Sequence, residues 1–135
     1  MESYKRELIN YRIARAKEAI EEVDILIKSK KFNAAATRIY YGVFYITNAL
    51  LLMDNFPTSK HSQIIGYFNK NYVKERRINP KIGRFLNRAY ELRTRSDYGE
   101  FIEYSEPEIN SYFKEMKDFI YSVENIINKK LENIK

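Results

Sequence analysis

Arg93 and Asp97 stand one helical turn apart, an i, i+4 spacing that puts a guanidinium within reach of a carboxylate on the same helix face. On a helical wheel Arg93 falls in the apolar arc with Ala89 and Leu92, away from the other basic residues of its segment. A guanidinium placed there needs an acceptor, and Asp97 is positioned to supply one. A cation held in this way has two uses: it fixes how two helices or subunits meet, or it neutralises charge on a phosphate. Arg38 raises the same question, because it sits in a mostly apolar stretch beside Tyr40 and Tyr41 and requires phenol, carboxylate or carbonyl partners. Arg38, Tyr40, Tyr41 and the single histidine, His61, make up a second expected polar cluster, able to join the first.

A third group is basic throughout. Between Lys70 and Arg95 there are nine Lys or Arg and two Glu, while the chain from Ser96 onward is net negative, within an overall formal charge of +6. Lys81, Arg84, Arg88 and Arg95 fall in one narrow arc of the helix expected there. Such a stripe is either a solvated face or a surface for RNA, a nucleotide or an acidic partner. Other chemistries lack their residues. The four scattered Gly form no phosphate loop, one His without any Cys makes neither a zinc site nor a thiolate centre, and no Gly-x-Ser-x-Gly elbow occurs. Neither a metal nor a cofactor is expected.

These residues need helices to place them. Ile9, Ile13, Ala16, Ile20, Val23 and Ile27 recur at alternating spacings of four and three, which predicts a first helix from Ser3 to about Ser29. Asn33 is the expected N-cap of a second, central helix from Ala34 to Met53, apolar almost all round. Ser59 is the expected cap of a short third helix through His61 and Phe68. Asn79 followed by Pro80 opens a fourth that runs to about Asp97 and stops at Gly99. Ser105-Glu-Pro-Glu108 matches a capping box for a fifth, whose stripe of Ile109, Phe113, Met116, Ile120, Val123, Ile127 and Leu131 lets it pack beside the first. The expectation is an all-α, antiparallel up-and-down bundle of about five helices, forming one domain over residues 1–135. With 44% hydrophobic residues, twelve Tyr and eight Phe, the chain has material for a core and for half-buried interface surface. The longest apolar stretch, Tyr40 to Met53, falls short of the roughly 20 residues that cross a bilayer. The charged N-terminus has no signal-peptide pattern, so a cytoplasmic protein without membrane contact is expected.

Ala36-Thr-Arg38-Ile-Tyr40-Tyr41-Gly-Val-Phe44, Ala49-Leu-Leu51, Ser59-Lys-His61-Ser and Leu92-Arg93-Thr-Arg-Ser-Asp97-Tyr98-Gly99, in that order, resemble the landmarks of the HEPN family over nearly the whole chain. The resemblance implies a helical bundle, commonly a homodimer, often paired with a small nucleotidyltransferase in systems of the toxin–antitoxin kind. Many members are metal-independent ribonucleases with an Arg followed, after four to six residues, by a His. Here no His follows Arg93 or Arg95, and His61 lies upstream of both, where a capping or packing role is expected.

Three functions remain open on these grounds. The first is an accessory protein that binds a nucleotidyltransferase partner, a nucleotide or RNA, with little or no catalysis. The second is an RNA endonuclease toxin in which Arg93 holds the scissile phosphate and Asp97 or Tyr98 handles protons. The third is a structural helical dimer. Whether the protein is an enzyme stays open, the absent motif His weighing against it.

Overall fold

The computed structural model describes the backbone of residues 1–98 and 103–134, and the side chains of 1–95 and 103–134. Among the described residues all regular structure is helical: α1 (Ser3–Lys28), α2 (Phe32–Met53), α3 (His61–Phe68), α4 (Pro80–Gly83), α5 (Phe85–Tyr98) and α6 (Glu106–Glu132), with a π-helical turn, Asn69–Val73, continuing α3. The chain is an antiparallel bundle in which the single turn α4 leads into α5, so the fourth expected helix is present in two pieces.

Helix α2 is the central element and packs against α1, α3, α5 and α6. Its mostly apolar composition follows from that position, since Ala35, Ile39, Val43, Ile46 and Leu50 are all fully buried. The expected stripes on α1 and α6 meet it: Ile9, Ala16 and Val23 from one side, Met116, Ile120, Val123 and Ile127 from the other. Gly42 of α2 faces side chains of both α1 and α6. A Cβ there would stand 2.5 Å from the Met116 methyl and 3.0 Å from that of Ala19, so only glycine fits without displacement.

Two caps match the sequence reading. Asn79 accepts from the Lys81 amide at 2.9 Å ahead of Pro80, and Ser105 and Glu108 form a reciprocal capping box. Two differ. Helix α2 begins at Phe32, and the Asn33 side chain, expected to cap it, instead accepts from the Tyr104 amide at 3.3 Å. Ser59 does not cap α3; Thr58 Oγ accepts from the Lys60 amide at 3.2 Å. The break between α4 and α5 at Arg84 has a steric setting. Gly83 is pressed against Val73 and Ile78, whose methyls would lie 2.7 and 2.9 Å from an added Cβ. That turn packs on the π-helical segment as well as on α5 and α6. Gly99, expected to stop the helix, lies outside the described residues.

Candidate functional site

Three helices converge on one hydroxyl. Tyr40 stands in the middle of α2 with 2% exposure, His61 is the first residue of α3, and Arg93 lies on the third turn of α5, half-buried. Arg93 Nη1 donates to the Tyr40 hydroxyl at 2.8 Å, and that hydroxyl faces His61 Nε2 at 2.5 Å. With the imidazole proton on Nδ1, the hydroxyl that accepts from Arg93 donates its own hydrogen to Nε2. The Arg93 guanidinium also lies over two rings, 4.8 Å from the Tyr40 centroid and 5.9 Å from that of Tyr41. His61 is boxed by aromatic rings, with Tyr40 at 5.6 Å, Phe44 at 5.1 Å and Tyr90 at 5.1 Å between centroids.

Electrostatics fix the protonation of this unit. Burial lowers the His61 pKa from 6.5, and the positive charge of Arg93 lowers it further. Burial raises the Tyr40 hydroxyl above its ordinary 10.0, against the opposing pull of Arg93's hydrogen bond and charge. At neutral pH the centre is therefore a fixed cation, a protonated phenol and an uncharged imidazole. It can attract an anion through Arg93 and exchange a proton through His61.

The structure thus joins Tyr40, Tyr41, His61 and Arg93. Arg38 reaches the group only through Tyr41, lying 5.0 Å over that ring while its Nη1 stands 3.9 Å from Glu22. Asp97 and Tyr98 lie outside the described side chains. The four residues of the expected basic stripe make no hydrogen bond, ion pair or ring contact with this cluster among the described residues. Lys81 and Arg84 are exposed at α4, Arg88 pairs with Glu115 of α6, and Arg95 lies 5.1 Å over the Tyr104 ring. Arg88 and Arg95 share α5, whereas Lys81 lies on α4 and Arg84 at the turn between the two helices.

Sequence reasoning passed over four neighbours. Tyr90 precedes Arg93 by three positions and so shares its face, a signal that was available. Tyr45 and Asn48 follow Tyr41 at i+4 and i+7, again on one face. Arg15, on α1, lies 5.3 Å over the Tyr45 ring, a contact that no local spacing encodes. Among the described residues no group of His, Asp or Glu is placed to hold a metal ion, and no helix is long and apolar enough to cross a membrane.

The match to known proteins covers the whole of this architecture. Residues 9–134 match the HEPN domain. A UPF0332 protein of Thermotoga maritima is 35% identical over 123 residues, covering 91% of this chain and 93% of its own. Two proteins of Methanocaldococcus jannaschii carry names that provisionally class them as toxins. One is 34% identical over 105 residues, 78% of this chain and 71% of that protein; the other is 36% identical over 93 residues, 69% of each. The chain, an all-helical bundle whose central Tyr-Tyr helix is bonded to the arginine of α5 and which matches the HEPN domain over residues 9–134, belongs to the HEPN family.

Proposed function

We propose that this chain is the HEPN component of a toxin–antitoxin-type pair and that it binds single-stranded RNA through the Arg93 centre. The observation that carries the reading is the Arg93–Tyr40 hydrogen bond, which holds a guanidinium beside an uncharged imidazole, the half-buried Tyr41 ring and the exposed Tyr90 ring. Arginine with aromatic faces is a combination suited to phosphate and base together. The toxin names of the two archaeal relatives support the system assigned. Family resemblance supports a homodimer with a nucleotidyltransferase as its partner, and the charged N-terminal sequence supports a place in the cytoplasm. The exposed Tyr4, Tyr11 and Ile25 of α1 offer apolar surface for such contacts. Titration of wild type and Arg93→Gln with mixed single-stranded RNA tests the reading. The variant is expected to bind at least about tenfold more weakly, with a salt slope smaller by about one. Equal affinity would overturn it, and so would a lower melting temperature with RNA affinity untouched, which is the signature of a structural arginine.

One observation favours a second reading, that binding leads to cleavage. His61, separated from Arg93 in sequence, stands one hydroxyl away from it in space, so an acid–base group is present although the usual motif His is not. Cleavage products with a cyclic phosphate, lost in both Arg93→Gln and His61→Ala, are expected on this reading. Intact RNA after incubation with folded wild type would remove it and leave the binding role standing.

A further inference from the structure

A pocket of about 230 Å³ opens beside the Arg93 centre, between the outer face of α2 and the start of α3. Tyr41, Tyr45 and Asn48 form its α2 wall, and Ser59 and His61 stand across from them. The volume is below the roughly 300 Å³ at which pockets begin to enclose a drug-sized ligand, and it has room for a single ring system. Tyr41 and Tyr45 are half-buried, with ring centroids 6.4 Å apart and planes tilted by 33°, and both rings line the pocket. The Asn48 side-chain amide and the Ser59 hydroxyl make no hydrogen bond among the described residues, so donors and acceptors are available at the pocket wall.

The rim is cationic. The Arg15 guanidinium lies 5.3 Å from the Tyr45 ring, that of Arg38 lies 5.0 Å from the Tyr41 ring, and Arg12 Nη1 stands 3.5 Å from the Asn48 carbonyl oxygen. Arg12, Arg15 and Arg38 are three guanidinium groups, and the carboxylates paired with them among the described residues are Glu18 at 3.1 Å from Arg15 and Glu22 at 3.9 Å from Arg38. Flat aromatic walls, an amide, a hydroxyl and a surplus of arginine make a complement to a planar heterocycle attached to phosphates.

We infer that this pocket is a base subsite: one unpaired nucleobase of a bound RNA stacks on Tyr41 and Tyr45, hydrogen-bonds to Asn48, and leaves its flanking phosphates on the arginine rim. The inference rests on the RNA-binding reading above and adds to it a place where the strand is gripped through a base. It also assigns a role to Arg12 and Arg15, on the first helix, which the Arg93 centre does not use.

The test uses the full chain and two short single-stranded oligoribonucleotides, one carrying the fluorescent base aminopurine at a central position, the other abasic there. Wild type is expected to quench the aminopurine and to bind that strand roughly tenfold or more tightly than the abasic one. Asn48→Leu and Tyr45→Leu, checked for unchanged helical content by circular dichroism, are expected to shrink that ratio towards one while retaining the salt-dependent binding that Arg93 provides. Equal affinity of wild type for the two strands overturns the subsite and leaves the RNA reading intact. No binding of either strand overturns both. Variants that keep the base preference but change the oligomeric state on a sizing column overturn the subsite in favour of a protein contact.

Discussion

The Arg93 Nη1 and the Tyr40 hydroxyl meet at 2.8 Å across 53 positions of sequence. The bond ties α5 to α2, and the same hydroxyl reaches His61 at the start of α3, so one oxygen organises three helices. Removing it with Tyr40→Phe keeps the ring and the packing but takes one hydrogen bond from the guanidinium and one from the imidazole. A loss of about 2 kcal/mol is expected, in line with hydrogen bonds to charged groups. Because Arg93 loses its anchor, RNA affinity is expected to fall several-fold although no charge has been removed. Urea unfolding and RNA titration of the same preparation check both effects. Lower stability with unaltered affinity would make Tyr40 a strut and no more.

His61 reports on the same bond through its pKa. Its folded value is depressed, first by burial and then by Arg93, whereas an unfolded imidazole titrates near 6.5. As pH falls below 6.5 the unfolded chain takes up its proton first. Stability from the neutral ring is therefore complete above that value, declines as pH drops towards the folded pKa, and levels off below it. Arg93→Gln removes the second cause and leaves the first, so the pKa is expected to rise part of the way and remain below 6.5. The chain has one His, and a proton NMR titration therefore follows a single imidazole. Superimposable curves for wild type and variant would show that the ring does not feel the guanidinium.

A stabilising change is available at the end of α1. Lys30 has φ of 58°, and the turn closes through bonds from the Lys31 amide to Leu26 O at 2.8 Å and from the Lys30 amide to Ile27 O at 2.9 Å. This is a Schellman ending in which a side chain occupies the left-handed position that glycine adopts without strain. Lys30→Gly is expected to gain up to about 1 kcal/mol, less the entropy glycine adds to the unfolded chain. The Lys30 ammonium stands 3.8 Å from Glu106 with both groups exposed, a contact of little weight. A lower thermal midpoint in the variant would show that the αL residue is not strained here.

The features legible in the sequence are those carried by neighbours along the chain. The stripes of α1 and α6 and the caps at Asn79 and Ser105 depend on residues within a few turns, and the structure shows them in place. Asn33 has the chemistry of a cap, but the Schellman turn at Lys30 lets α2 begin at Phe32 and frees the asparagine oxygen for the distant Tyr104 amide. The same division runs through the site. The apolar arc of α5 was enough to single out Arg93 as partly buried and in need of acceptors. That one of them is Tyr40, with His61 behind it, depends on α3 folding back over α2, which no periodicity records.

Asp54 offers the sharpest stability test, because three elements end on its carboxylate. It follows α2, its side chain is 10% exposed, and it accepts from Tyr67 at 3.1 Å, from the buried Tyr72 hydroxyl and from Lys130 Nζ of α6 at 3.0 Å. Both tyrosines are held above their ordinary pKa, by burial first and by the Asp54 carboxylate next, so they remain hydroxyl donors across the physiological range. Asp54→Ala strands the Tyr72 hydroxyl in the core and leaves Lys130 without its partner, and a loss of about 3 kcal/mol is expected. Adding Tyr72→Phe removes the stranded hydroxyl, so the double variant is expected to lose less than the sum of the two single changes. Additive losses in urea unfolding would mean that the Tyr72 hydroxyl does not depend on the Asp54 carboxylate for its partner.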